Sequence, residues 1–101
     1  MYLVSATVLE EWNALSDAQV AAQVLMGRTA LFEVLMRRHN ERLYRTLRAI
    51  VRDDGKAEAL LQQAYVNAYA NLRTFDSTTP FAVWLTRMAV KAAAASTYSE
   101  A

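Results

Sequence analysis

The sequence predicts an all-α protein, a compact bundle of about four helices, and three observations carry that prediction. Two glycines and one proline in 101 residues leave little turn chemistry. The abundant Ala, Leu, Arg, Gln and Glu lose little side-chain freedom in a helix. Apolar residues recur at steps of three and four, the period of one helix face. With 54% hydrophobic residues, the chain has the length and apolar content of one modest core.

Residues 1–14 are apolar, with Glu10, Glu11 and Trp12 near their end, and are expected to form an N-terminal arm or a short extra helix. The domain proper is expected to span residues 15–97. Ser16-Asp17-Ala18-Gln19 has the form of a capping box, and Gly27 stands where a left-handed C-cap belongs, so a first helix covers about Asp17 to Met26. After Thr29, a candidate N-cap, Phe32, Leu35, Met36, His39, Leu43, Leu47 and Ile50 mark the apolar face of a long second helix ending near Arg52.

Asp53-Asp54-Gly55 breaks that helix. Ala57, Leu60, Leu61, Ala64, Tyr65, Ala68, Tyr69 and Leu72 then repeat the spacing in a third helix, whose small residues allow close helix approach. Arg73 to Thr79 is a polar, hydroxyl-rich connector. Thr79-Pro80 reads as an N-cap followed by a proline at the first helical position, opening a fourth helix with Phe81, Trp84, Leu85 and Met88. The Ala92–Ala95 run favours helix but offers a partner almost no side chain, and residues 98–101 are expected to fray.

With no cysteine, disulfides and thiolate metal sites are excluded, and the single His39 builds no metal site alone, so no cofactor is expected. His39 falls on the apolar side of its helix, as a core or boundary residue. No Gly-rich phosphate loop is present and the carboxylates are scattered, which argues against an enzyme. No apolar run approaches the roughly 20 residues that span a bilayer, and the N-terminus lacks the basic start of a secretory signal. A cytoplasmic protein is expected.

A net charge of +1 does not by itself point to nucleic acid. The distribution says more. Arg37, Arg38, Arg42, Arg45, Arg48 and Arg52 all fall opposite the apolar face of the second helix, a stripe that suits phosphate or an acidic protein, or is simply a solvated face partly neutralised by Glu41. The Arg73–Thr79 connector mixes hydroxyls, an aromatic and a guanidinium, groups that hydrogen-bond and stack an unpaired base. Trp84, Arg87 and Lys91 share one side of the fourth helix, although a tryptophan at such a position is more often core.

From Leu15 to about Ser96 these features resemble region 2 of the extracytoplasmic-function group of bacterial sigma factors. The resemblance is carried by Leu15-Ser16-Asp17, Gly27 through Phe32-Glu33, Met36 through Arg45, Ile50 through Asp54, Gln62 through Tyr69, and Phe81 through Ala89. It implies a non-enzymatic module of transcription initiation. The third helix would meet the clamp helices of the largest subunit of core RNA polymerase through Glu58, Gln62, Gln63, Asn67 and Asn71. Promoter DNA, at the minus-ten element, would meet Arg73, Ser77, Thr78 and Thr79 of the connector with Trp84, Arg87 and Lys91. Arg38, Arg42, Arg45 and Arg52 would form a basic surface.

Two departures from the family pattern bear on this. Ala59 and Gln63 stand where acidic residues are usual and Asn67 where a basic one is, so docking would depend on amide hydrogen bonds more than on ion pairs. Where the family continues with a basic cluster, this chain has Val90-Lys91 and then alanines, which removes phosphate contacts. The family's region 4 would follow where this chain stops. The alternative reading is a sigma-like module that binds a regulator such as an anti-sigma factor without reading DNA. A third is a structural helical bundle that oligomerises, suggested by Tyr65, Tyr69 and the small residues around them.

Overall fold

The computed structural model describes residues 14–100, with side chains to residue 96. The arm expected at residues 1–14 lies, except for Ala14, outside the described residues. Four α-helices and two 3-10 turns make up the described fold, and no strand occurs among the described residues.

Helix α1 (Asp17–Leu25) starts at the predicted capping box: Ser16 Oγ accepts the Gln19 amide at 3.1 Å, and Gln19 Oε1 accepts the Ser16 amide at 2.8 Å. It ends in a Schellman arrangement, with Arg28 N–H donating to the Gln23 carbonyl and Gly27 N–H to that of Val24. Gly27 has φ of 108°, a backbone that a side chain rarely tolerates.

Thr29 does not cap the second helix. It opens a 3-10 turn, η1 (Thr29–Leu31), which runs straight into α2 (Phe32–Val51); the N-cap is the buried Leu31, which makes no side-chain cap bond. Phe32, Leu35, Leu43 and Leu47 are buried as predicted, and Val34 joins them. The apolar face does not reach Ile50, which is 44% exposed; Val51 packs against the core instead.

The break before α3 (Asp54–Ala70) is shorter than the sequence suggests. Arg52 takes the left-handed conformation, φ 54°, and Asp53 caps the next helix by accepting the Lys56 amide at 2.8 Å. Gly55 therefore lies within the first turn of α3 instead of ending α2. Ala57, Ala64 and Ala68 have no exposed surface, the close approach their size permits. Leu72 belongs not to α3 but to the following 3-10 turn, η2 (Leu72–Thr74), where it is buried.

Helix α4 (Phe81–Glu100) begins one residue later than the Thr79-Pro80 pattern predicts: the Pro80 carbonyl accepts the amides of Val83 and Trp84, so proline takes the N-cap position. Its backbone stays helical past residue 97. The alanine run is not an idle end, because Ala93 is fully buried along with Phe81, Leu85 and Ala89. Helices α2, α3 and α4 pack against one another and α1 lies on α2. No helix of the described residues is long and apolar enough to cross a membrane.

Candidate nucleic-acid interface

The connector between α3 and α4 is held from beneath by aromatic rings. Phe75 meets Phe81 edge-on at 5.2 Å and lies 5.5 Å from Trp84, which is itself 5.5 Å from Phe81. Above this anchor Asp76 closes a tight turn, accepting the Thr78 amide at 2.9 Å and the Thr78 hydroxyl. Those bonds, the hydroxyl first and the amide second, hold the Asp76 carboxyl below the usual carboxylate range. Arg73 and Ser77 are exposed and Thr79 is half-buried, so the connector sits outside the core, with the Thr78 hydroxyl already engaged.

Beside it, a groove of about 490 Å³ runs between α3 and α4, lined by Asn67, Asn71, Trp84, Arg87, Met88 and Lys91. It unites residues that the sequence assigns to two different surfaces: Asn67 and Asn71 from the polymerase set, Trp84, Arg87 and Lys91 from the DNA set. Trp84 is half-buried, one part in the aromatic anchor and another on the groove wall. Arg73, Ser77, Thr78 and Thr79 do not line this groove. Arg87 and Lys91 are exposed and have no carboxylate partner among the described residues. An indole face, amides and two cations are the groups that accept a stacked base and its phosphates.

The two asparagines are partly committed already. Gln63 Nε2 donates to Asn67 Oδ1 at 2.9 Å, and Asn71 Nδ2 donates to the Asn67 carbonyl at 2.8 Å. Further out on α3, Glu58, Gln62 and Gln63 are exposed. One apolar residue missed by the sequence reading shares this surface, Val66, 62% exposed, and Tyr69, three residues on, is 47% exposed. Val66 follows Gln62 by four residues and Gln63 by three, so helical spacing alone would place it among them. Tyr69 was expected on the apolar face; it sets its ring edge against Phe32 at 5.3 Å and leaves the rest in solvent.

The arginine stripe is not the free cationic surface its spacing suggests, because four of its six members have carboxylate partners. Arg37 pairs with Glu33 at 3.1 Å, Arg45 with Glu41 at 3.2 Å and Arg48 with Asp54 at 2.7 Å. Arg38 turns into the α1–α2 interface, where it reaches Asp17 at 3.0 Å. Only Arg42 and Arg52 have no carboxylate partner among the described residues. Asp54, bonded by Arg48 first and by the Tyr44 hydroxyl second, is held below the ordinary carboxylate range. His39 is a half-buried boundary residue facing Asp17 and the Phe81 ring. The described residues contain no group of three acidic, His or Cys side chains able to hold a metal.

The model of the family described as Sigma-70 region 2 matches residues 35–95, which take in α3, the connector and the groove. Among curated proteins, the RNA polymerase sigma-H factor of Pseudomonas aeruginosa is 27% identical over 77 residues, which cover 76% of this chain and 40% of that protein. The chain thus spans about two fifths of the length of that relative. No solved structure matches the chain.

Proposed function

Since the chain belongs to the Sigma-70 region 2 family, we propose that it is a transcription-initiation module that docks on core RNA polymerase and engages the non-template strand of the promoter minus-ten element. The exposed ridge of α3 (Glu58, Gln62, Gln63 and, at its centre, Val66) would meet the clamp helices of the polymerase's largest subunit. With amides replacing charges, affinity there would come from hydrogen bonds and the buried Val66 contact, and would depend weakly on salt.

The observation that carries the DNA-binding half is the groove that Trp84, Arg87 and Lys91 of α4 line together with Asn67 and Asn71 from the α3 side. Extruding a base from the duplex costs a few kcal/mol. Stacking on an aromatic returns about 1–3 kcal/mol per base, and the two cations neutralise the adjoining backbone. The connector, with Arg73 and Ser77 exposed, supplies hydrogen bonds at the edge of the site.

A second reading, a sigma-like module that binds a regulator such as an anti-sigma factor and not DNA, draws support from the neutralised arginine stripe and the alanine-rich end of α4. Fluorescence anisotropy with a labelled single-stranded minus-ten oligonucleotide at several salt concentrations separates the two. Salt-sensitive binding that is lost in the Arg87→Ala, Lys91→Ala double variant is expected. If the wild-type chain shows no salt-sensitive binding, the DNA-reading half fails and the second reading takes its place.

A further inference from the structure

Arg87 faces two ways. Besides the α3–α4 groove it lines a shallow depression of about 230 Å³ on the other flank of α4, shared with Ala82, Val83, Thr86 and, from α2, Arg42. The floor of this depression is apolar apart from Thr86, whose hydroxyl already donates to the Ala82 carbonyl at 2.7 Å. Two arginine side chains from different helices therefore line one hollow, through their aliphatic stems, and the described residues provide no carboxylate to either.

The contrast with the rest of α2 gives this meaning. Arg37, Arg38, Arg45 and Arg48 each have a carboxylate within 3.2 Å, whereas Arg42, in the middle of the series, has none among the described residues. Like charges around one hollow repel unless an anion joins them, and the planar guanidinium fork matches the two free oxygens of a phosphodiester. A strand whose base lies against Trp84 has its backbone near Arg87, and Arg42 lines the hollow that Arg87 shares on its other flank.

We propose that Arg42 and Arg87 together hold one phosphate of the DNA strand, so that the strand passes from the α3–α4 groove over α4 and onto α2. The proposal rests on the DNA-binding reading above and adds a contact from a helix that reading does not use. A shared phosphate makes the two arginines non-additive: once either is removed, the other has lost most of its purpose.

The test is the salt dependence of single-strand binding for Arg42→Ala, Arg87→Ala and the double variant, with Arg37→Ala, whose partner is Glu33, as the control. For a single strand the slope of log K against log salt changes by about 0.7 for each phosphate contact. Arg42→Ala is expected to flatten the slope by about that amount. The double variant should be no flatter than Arg87→Ala alone, and Arg37→Ala should match wild type. Arg42 is exposed, so its variants should keep the wild-type circular dichroism, and Arg42→Glu should weaken binding more than Arg42→Ala.

Wild-type slope in Arg42→Ala overturns the inference while leaving the DNA-binding reading intact. A double variant whose loss equals the sum of the two singles overturns the shared phosphate. Loss of polymerase binding in Arg42→Ala with an unchanged DNA slope would assign the hollow to a protein partner and also overturn it. Absence of any salt-sensitive binding by the wild-type chain removes both this inference and the reading beneath it.

Discussion

His39 Nε2 lies 2.9 Å from Asp17 Oδ2, and the other oxygen of the same carboxylate takes Arg38 Nη1 at 3.0 Å. One aspartate in the first turn of α1 thus ties that short helix to two successive residues of α2, at a seam where all three side chains are at most a quarter exposed. Hydrogen bonds to charged groups contribute about 1.5–3 kcal/mol. Asp17→Ala should therefore cost about 2 kcal/mol, read as a lower urea midpoint with an unchanged slope, and Asp17→Asn less. A midpoint unmoved by Asp17→Ala would show that the seam is held by packing alone.

The two glycines should respond to alanine with opposite signs. At Gly27, φ of 108° places a Cβ in a strained backbone region, and Gly27→Ala should destabilise by about 1 kcal/mol. At Gly55, in the first turn of α3, a Cβ would meet only the Asp53 carboxylate at 3.4 Å. Gly55→Ala should stabilise by about 0.5 kcal/mol by restricting the unfolded chain. Thermal melts of the two variants side by side check both signs.

Tyr65 joins α3 to α2, its hydroxyl donating to Asn40 Oδ1 at 2.9 Å. Burial pushes its phenol up to about 12 from the ordinary 10.0. Between those values the folded protein keeps a proton that the unfolded chain has lost. The contribution is complete below pH 10 and is lost as pH rises toward 12. Tyr65→Phe should cost about 1 kcal/mol at neutral pH, through the lost hydrogen bond, and should decline less steeply above pH 10. Parallel declines of the two proteins in urea titrations at rising pH would contradict this.

On the proposed docking ridge, Val66 is the exposed apolar centre among polar neighbours. A buried interface residue of this kind is worth more than about 1 kcal/mol. Val66→Glu should weaken binding to core polymerase about tenfold without altering the circular dichroism or the melting temperature. Equal affinity in a pull-down titration would place the polymerase contact elsewhere.

Much of the candidate site was present in residue order, because helical period alone decides which side chains share a face. Glu58, Gln62 and Gln63 are exposed together for that reason, and the same rule would have found Val66. Helical period cannot say which helices face each other. That Asn67 and Asn71 look across a groove at Trp84 and Lys91 depends on how α3 packs against α4, with Ala64, Ala68, Ala89 and Ala93 all without exposed surface. Charge was the least readable property: six arginines in register gave no sign that Asp17 and Asp54, outside α2, would neutralise two of them.

Local signals with a single physical solution were determined by the chain's own order: the Ser16–Gln19 capping box, the left-handed Gly27, the apolar faces of four helices and the all-α class. Each depends on neighbours within one or two turns, where backbone geometry leaves few alternatives. Tertiary structure alone decided that Thr29 starts a 3-10 turn, that Trp84 is half anchor and half groove wall, and that Arg42 and Arg87 line one hollow. Those outcomes depend on which faces meet, and helix packing selects among arrangements that the same periodic pattern allows.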